Sequence, residues 1–518
     1  LTSPDVLATI LERAHSGPGR PAVKDAERDL SYGDLVLEVD RVAAGLRTRG
    51  VGVGDRVALH FPNSVDFVVA ALACLRVGAI FVPLAITDPP ARLEVIIGDC
   101  APAVIVTSDA LGDGMAPAPG DVAPVVTISE LRTESADRAD LTDAPGEVAY
   151  AIYTSGTTGA PKGVLIGNSA FAAAVEATSV ALGLSADTRT LCVSPFHFDG
   201  SFGTLFPTLF RGGAIVIRPR EALLFPRTFF NAVAREAITY SGFSPSYLRL
   251  LLSSPQMDRL AGTTLEVVAL GGEACSAADV RSLWSAAPQV RVFNRYGPTE
   301  TTIAVTHEEL TPALIADGTV PIGRPHPEVT FHLVDDSGHL IADADRIGEL
   351  YIGGSQLMSG YWGAPELTAE VLRTDVVQGE TVYRTGDLMY RTVAGEYVYV
   401  DRADRVIKRL GIRISLVELG EAMRTLSGVS AAACMCFDDD GQRGIVAFVV
   451  ADRPTTPLEL RQAATARLPD SMLPDRIELV DTLPLTPSSK LDERRLLAEA
   501  GLVGFGSAPP TTSTHSTP

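Results

Sequence analysis

Short apolar runs alternate with longer stretches of helical periodicity over the first three hundred positions of the chain. Buried strands are predicted at 57–59, 103–106, 148–153, 191–194, 214–217, 266–270 and 290–293, each a short apolar run bounded by turn residues. Helices are predicted at 65–77, 226–237 and 277–286. Strands alternating with helices imply mainly parallel sheets covered by helices. After about residue 320 the pattern changes, and 329–334, 348–352 and 396–400 read as a more antiparallel, β-rich stretch. A charged segment, 401–409, separates it from a last α/β region running from 417 to about 500. The expected fold class is α/β: a large N-terminal domain of α/β subdomains plus a β-rich subdomain (1–402), then a small C-terminal α+β domain (403–500). A Ser/Thr/Pro/Gly-rich tail, 501–518, is expected to be disordered. The longest apolar run, 68–86, contains Arg76, Gly78 and Pro83, so it reads as a core helix entering a strand and not as a membrane span.

Bulk composition narrows the function classes. The chain has 518 residues, 46% hydrophobic and 20% charged, which suits a globular protein of more than one domain. A formal charge of −20 argues against a general binder of nucleic acid or anionic membranes. Six scattered cysteines suit free thiols in a reducing compartment; Cys434 and Cys436 have no second cluster to complete a zinc site. No signal peptide opens the chain, so a cytoplasmic protein is expected. The eight histidines show no metal spacing.

The first chemical signal is Tyr153-Thr-Ser-Gly-Thr-Thr-Gly-Ala-Pro-Lys-Gly163, which follows a predicted strand. Its backbone N–H groups, hydroxyls and single cation, Lys162, suit phosphate oxygens, and its small residues allow close wrapping. Pro161 before Lys162, and no Ser or Thr after it, exclude a Walker A loop. Gly50–Gly54 has the look of a dinucleotide loop, but Asp55 and a strand follow it, so it is read as a turn. Gly200-Ser-Phe-Gly203 is no nucleophile elbow, because Asp199 stands where the first Gly is needed.

The loop closely resembles the phosphate loop of the adenylate-forming superfamily, which includes acyl-CoA synthetases, luciferases and nonribosomal peptide synthetase adenylation domains. Further resemblances follow in the family's order. They are Leu30-Ser-Tyr-Gly-Asp-Leu35, Val77-Gly-Ala-Ile-Phe-Val-Pro-Leu84, Phe198-Asp-Gly-Ser201, Asn294-Arg-Tyr-Gly-Pro-Thr-Glu300, Gly348-Glu-Leu-Tyr-Ile-Gly-Gly354, Tyr383-Arg-Thr-Gly-Asp-Leu388, Asp401-Arg-Ala-Asp404 and Leu485-Thr-Pro-Ser-Ser-Lys490. The resemblance implies an AMP-forming acid–thiol ligase that uses ATP and Mg2+.

Adenylation joins a carboxylate to the α-phosphate of ATP, so the barrier is charge repulsion, and catalysis needs positioning and positive charge. By resemblance, Lys490 bridges carboxylate and α-phosphate, although Ser489 stands where the family usually has Gly. Lys162, Thr154 and Thr158 would hold phosphates, and Glu300 would be the Mg2+ ligand. Tyr296 would stack on adenine, with Asn294 at its exocyclic amine. Gly272, Glu273 and Ala274 would form the opposite wall, with Gly297, Thr299 and Tyr399 nearby. Asp387 and Arg402 would reach the ribose. Asp404 and Lys408 would form the hinge of a mobile C-terminal domain.

Asp199 carries the substrate signal. In peptide-synthetase adenylation domains the Asp of F-D-x-S pairs with the substrate ammonium; a helix-capping Asp is the alternative. The family's pocket positions map onto Phe198, Asp199, Gly200, Gly203, Gly242, Val268, Leu270, Arg295, Ile303 and Ala304. Three glycines imply a deep, mostly apolar cavity, or backbone fills the space. Arg295 meets an acidic side chain or points to solvent. Residues 196–206 resemble freestanding loaders of β-amino acids for macrolactam polyketides, which implies a β-amino acid with a long or bulky apolar substituent. No carrier domain or phosphopantetheine site is found after residue 500, so a monomer acting on a separate acyl carrier protein is expected. An α-amino acid domain, an acyl- or aryl-CoA ligase and a non-enzymatic relative are the rivals; intact Lys162, Glu300, Asp387 and Lys490 argue against the last.

Overall fold

The β–α alternation of the first three hundred residues folds into two large sheets in the computed structural model. It describes residues 5–112, 123–133, 146–154, 161–402, 406–409, 412–439, 442–484 and 491–504. One sheet has eight strands in the order Thr306–Leu310, Arg291–Tyr296, Val267–Gly271, Tyr240–Phe243, Arg189–Cys192, Ala214–Ile217, Pro21–Lys24, Asp29–Ser31. Its six inner strands are parallel, and only the two outer pairings are antiparallel. The other has seven strands, with Arg56–His60 and Ile80–Leu84 central and Val148–Thr154 paired antiparallel to Lys162–Gly167. The structure thus carries antiparallel pairs at the sheet ends that apolar runs alone do not reveal.

Local chemistry sets the helix ends. Val65–Val77 forms the predicted helix: the Ser64 hydroxyl accepts from the Phe67 N–H at its start, and Gly78 closes it at φ 74°. Ala277–Ala286 also forms as predicted, capped by Ser276, while Pro226–Arg235 stops two residues before the expected end at 237.

The helix Asp199–Phe210 holds the two sheets together. Its Phe202 and Phe206 are fully buried among Phe81, Tyr150 and Phe171, with ring centroids 4.9–6.4 Å apart. Truncating such a ring to Ala costs roughly 3–5 kcal/mol. The first turn of that helix, carrying Asp199 and Gly200, is thereby fixed against both sheets.

The β-rich stretch is antiparallel as expected, with Val329–Val334, Gly348–Gly354, Val382–Arg391 and Tyr397–Arg402 as its main strands. Beyond it the sheet Arg476–Leu479, Gln442–Ala451, Val429–Asp439, Val503–Gly504 packs on its own helices. Its two hydrophobic clusters draw only on residues 414–502. No helix among the described residues is long and apolar enough to cross a membrane.

The expected tail, 501–518, begins too early. Leu502 is buried against Met435, Phe437, Val446 and Leu496, and Val503–Gly504 pairs with Phe437 and Asp438. A compositional boundary misses this, because two residues suffice to extend a sheet edge. Residues 505–518 lie outside the described chain. Leu502→Ala should destabilise the C-terminal unit by about 2 kcal/mol, the low end for a buried leucine. Urea unfolding followed from the Gln442–Ala451 sheet checks this, and an unchanged midpoint would place residue 502 outside the core.

Candidate functional site

A cavity of about 1020 Å³ lies over the C-terminal ends of the parallel strands, the usual place for ligands in open α/β sheets. Thr154, Phe198, Asp199, Gly200, Gly272 and Arg295 line it, with Tyr296, Gly297, Thr299, Ile303, Ala304 and Asp387. Arg409 and Pro469–Met472, from the C-terminal part, complete the wall.

Around the phosphate loop, pairing of Val148–Thr154 with Lys162–Gly167 sets Thr154 opposite Lys162. The Thr154 hydroxyl is buried with no hydrogen-bond partner among the described residues. Lys162 is 9% exposed, and its Nζ donates to the Tyr361 hydroxyl at 2.9 Å. That hydroxyl donates in turn to Glu300 Oε1 at 2.8 Å, and Lys162 Nζ lies 3.9 Å from the same oxygen. Lys162 also sits over the Tyr361 ring, 4.2 Å from its centroid. Glu300 is fully buried. Tyr361 was not among the sequence candidates: it lies on the two-residue strand Gly360–Tyr361, too short to leave a periodic signal, paired to Val164 and Leu165.

Among the nucleotide candidates the Tyr296 hydroxyl donates to the Asp387 carboxylate. Asp387 is 2% exposed, and its N–H donates to Thr385 Oγ1. Strand register sets Arg402 opposite Asp387; the Arg402 side chain is outside the described set. Tyr399 packs in the same cluster as Tyr296. A Cβ on Gly297 would come within 2.5 Å of the Ala304 Cα, so only glycine lets these two walls approach.

Two nucleotide candidates face elsewhere. The Asn294 amide donates to the Pro321 carbonyl at 2.8 Å, and Asn294 does not line the cavity. The Glu273 carboxylate accepts from Ser246 N–H and Oγ, at the start of the helix Pro245–Leu252. Ala274 is exposed beside it.

The substrate candidates divide by strand alternation. Gly242, Ala269, Gly271 and Arg295 share one face of the eight-stranded sheet, toward the Asp199 helix. Val268 and Leu270 are on the opposite face, fully inside the core with Phe243 and Val292. Their assignment to the pocket is therefore corrected: motif spacing places the strand but not which of two neighbouring residues faces inward.

The expected deep apolar space is also corrected. A Cβ on Gly203 would sit 2.5 Å from Ile303 Cγ2 and 3.3 Å from Arg295 Nη1, and one on Gly242 would lie 3.5 Å from that same nitrogen. Arg295 and Ile303 occupy what the glycines vacate. Arg295 is 8% exposed, which removes the solvent alternative. Asp199 is the first residue of its helix, one past the N-cap Phe198, and its Oδ2 is shielded from solvent.

Gln356, which no motif flagged, shapes the far wall. Thr302 and Ile303 are β-branched residues in the left-handed region, at φ 58° and 69°, a conformation that needs outside support. Gln356 supplies it: its Nε2 donates to the carbonyls of Thr302 and Ala304, and its own carbonyl accepts from the Thr302 hydroxyl. Lys490, Thr158 and Asp404 lie outside the described residues, as does the side chain of Lys408.

Residues 10–362 match the AMP-binding enzyme family, and 418–490 match the AMP-binding enzyme C-terminal domain. Novobiocin biosynthesis protein H of Streptomyces niveus is 33% identical over 515 residues, covering 96% of this chain and 83% of that protein. Tyrocidine synthase 3 of Brevibacillus parabrevis is 33% identical over 498 residues, 94% of this chain; the chain spans only 8% of that protein's length. Among solved structures, AB3403, a four-domain nonribosomal peptide synthetase bound to AMP and glycine, superposes with a TM-score of 0.70. It is 27% identical, covering 95% of this chain and 36% of that one.

His197 offers a test of the cavity wall. Its imidazole is pushed down to about 3, first by burial and then by the nearby cations of Arg220 and Arg92. The folded state thus disfavours the proton that the unfolded chain takes up near 6.5. Its contribution is complete above pH 6.5 and is lost as pH falls toward 3. His197→Gln should therefore shrink the stability difference between pH 7.5 and 5.0 by about 2 kcal/mol. Urea midpoints at both values check this, and an unchanged difference would mean a solvated imidazole.

Proposed function

The chain belongs to the AMP-binding enzyme family, and from that membership we propose that it activates an amino acid with ATP and transfers it to a thiol. The finer reading is a β-amino acid, delivered to the phosphopantetheine of a separate acyl carrier protein. Asp199 carries the proposal. It is a carboxylate on the cavity wall at the start of a helix locked into the core, placed to accept hydrogen bonds from a substrate ammonium. A relative that holds AMP together with glycine supports an amino acid in such a cavity. The β-amino acid reading rests on the resemblance of 196–206 to macrolactam-type loaders.

In the first step a substrate carboxylate oxygen attacks the α-phosphorus of ATP. A P–O bond forms, the bond to the β-phosphate's bridging oxygen breaks, and pyrophosphate leaves. In the second step a thiolate attacks the acyl carbon, and the C–O bond to AMP breaks. The thiol proton passes to solvent. Lys162, held by Tyr361 beside Glu300, offers a cation next to the phosphate loop, and Lys490 is assigned the bridging charge of the first step. Asp387 and Arg402 are assigned to the ribose, and Asp404 with Lys408 to the hinge that exchanges the two active faces.

Mg2+ fits as an ion brought in by the triphosphate. Among the described residues there is no group of three or more His, Cys, Asp or Glu side chains able to hold a metal. Glu300 offers a single carboxylate, the donor set of an ion that keeps phosphate and water ligands. It would supply charge neutralisation at the β- and γ-phosphates.

Amino-acid-dependent ATP–pyrophosphate exchange is the test, run across α- and β-amino acids, fatty acids and aryl acids. Asp199→Ala should lower exchange with amino acids by roughly 10²- to 10⁴-fold, the equivalent of about 3–5 kcal/mol for a buried pair broken on one side. Full activity of Asp199→Ala, or exchange only with plain acids, would return the chain to the acyl- or aryl-CoA ligases.

A further inference from the structure

Four glycines from three separate elements surround one guanidinium. Gly200 and Gly203 lie on the helix Asp199–Phe210, Gly242 on Tyr240–Phe243, and Gly271 at the end of Val267–Gly271. A Cβ at Gly200 would lie 3.9 Å from Arg295 Nη2, one at Gly203 3.3 Å from Nη1, and one at Gly242 3.5 Å from Nη1. At Gly271 it would collide with the arginine stem, 2.7 Å from Nε. The glycines clear a bed for Arg295.

No ion pair among the described residues compensates its charge, and Nη1 is shielded from solvent with no hydrogen-bond partner among them. The Thr204 and Tyr240 hydroxyls lie beside it, 2.8 and 3.1 Å from the Gly242 Cβ position, and pair with each other, so neither supplies negative charge. Behind Arg295, on the adjacent strand, stands His307. His326 Nδ1 faces the side-chain oxygen Oε1 of Gln356 at 3.0 Å, so it carries the proton, and His326 Nε2 accepts from His307 Nδ1 at 2.8 Å. His307 is therefore a neutral base and supplies no negative charge.

A buried cation with no counter-ion is strongly destabilising unless a ligand supplies one. Arg295 reaches the cavity wall beside Gly200, the neighbour of Asp199. We propose that Arg295 is a specificity residue that pairs with a second carboxylate on the amino acid, so that the substrate is an aminodicarboxylic acid. This rests on the functional reading above: Asp199 takes the ammonium, Arg295 the second carboxylate, and the remaining carboxylate reacts with ATP. A planar guanidinium suits this task, because it meets a carboxylate with two parallel N–H bonds.

Pyrophosphate exchange with matched pairs tests the assignment: 3-aminoglutarate against 3-aminobutyrate, aspartate against asparagine, and glutamate against glutamine. The wild type should favour at least one acid over its neutral partner by about 10²-fold or more in kcat/KM. Arg295→Leu should abolish that preference, losing the acid while keeping or gaining the neutral partner; Arg295→Lys should keep part of it. MgATP binding by both variants reports whether they fold. If Arg295→Leu does not fold, the wild-type ratios and Arg295→Lys decide. Exchange that favours neutral amino acids, or an equal loss of acid and neutral partner in a folded Arg295→Leu, overturns the inference and leaves amino-acid adenylation standing. No exchange with any amino acid removes both.

Discussion

A buried contact between a lysine and a glutamate, bridged by one tyrosine hydroxyl, organises the end of the site proposed to hold phosphate. Lys162 opens a strand, Tyr361 lies on a two-residue strand paired to it, and Glu300 sits in the turn Thr299–Thr301. Removing two such charges from water costs several kcal/mol each unless hydrogen bonds replace the lost solvation. The Tyr361 hydroxyl serves both, accepting from Lys162 and donating to Glu300. The Met358 N–H donates to the Glu300 carbonyl, tying the same turn to the chain just before Tyr361. Three remote segments are thereby held in one geometry, the form of preorganisation that the proposed charge-driven chemistry needs.

The substrate end works by the opposite device. There a charge has no ion-pair partner among the described residues, and backbone is devoted to it: four glycines make room for Arg295, and Gln356 holds Thr302 and Ile303 in a left-handed turn that closes the wall. Both ends depend on the helix Asp199–Phe210, whose phenylalanines anchor it between two sheets while its first turn faces the cavity.

Much of this arrangement is legible in the sequence. The strand–helix alternation and the antiparallel stretch after 320 follow from apolar run length, and Ser64 and Gly78 mark one helix at both ends. The motifs around Thr154, Asp199, Tyr296 and Asp387 lead to one cavity. Three things were not legible. Which face a strand residue presents depends on register, so Val268 and Leu270 were read as inward when Ala269 and Gly271 are. The glycines imply a deep cavity or space filled by backbone, because a sequence does not show that the Arg295 side chain from a neighbouring strand fills it. Tyr361 and Gln356 act through hydrogen bonds that span some 50 to 200 residues of chain, and no local pattern marks such a residue.

The central claim is that Tyr361 sets Lys162 and Glu300 for phosphate chemistry. The most direct measurement is the steady-state dependence of pyrophosphate exchange on MgATP and on amino acid in Tyr361→Phe. This change keeps the ring under Lys162 and removes only the bridging hydroxyl. The account predicts a fall in kcat and a rise in KM for MgATP, together about tenfold or more, for a hydrogen bond to a charged group worth about 1.5–3 kcal/mol. KM for the amino acid should not change. Wild-type exchange in a folded Tyr361→Phe, or an amino-acid KM that rises as far as that for MgATP, would contradict it.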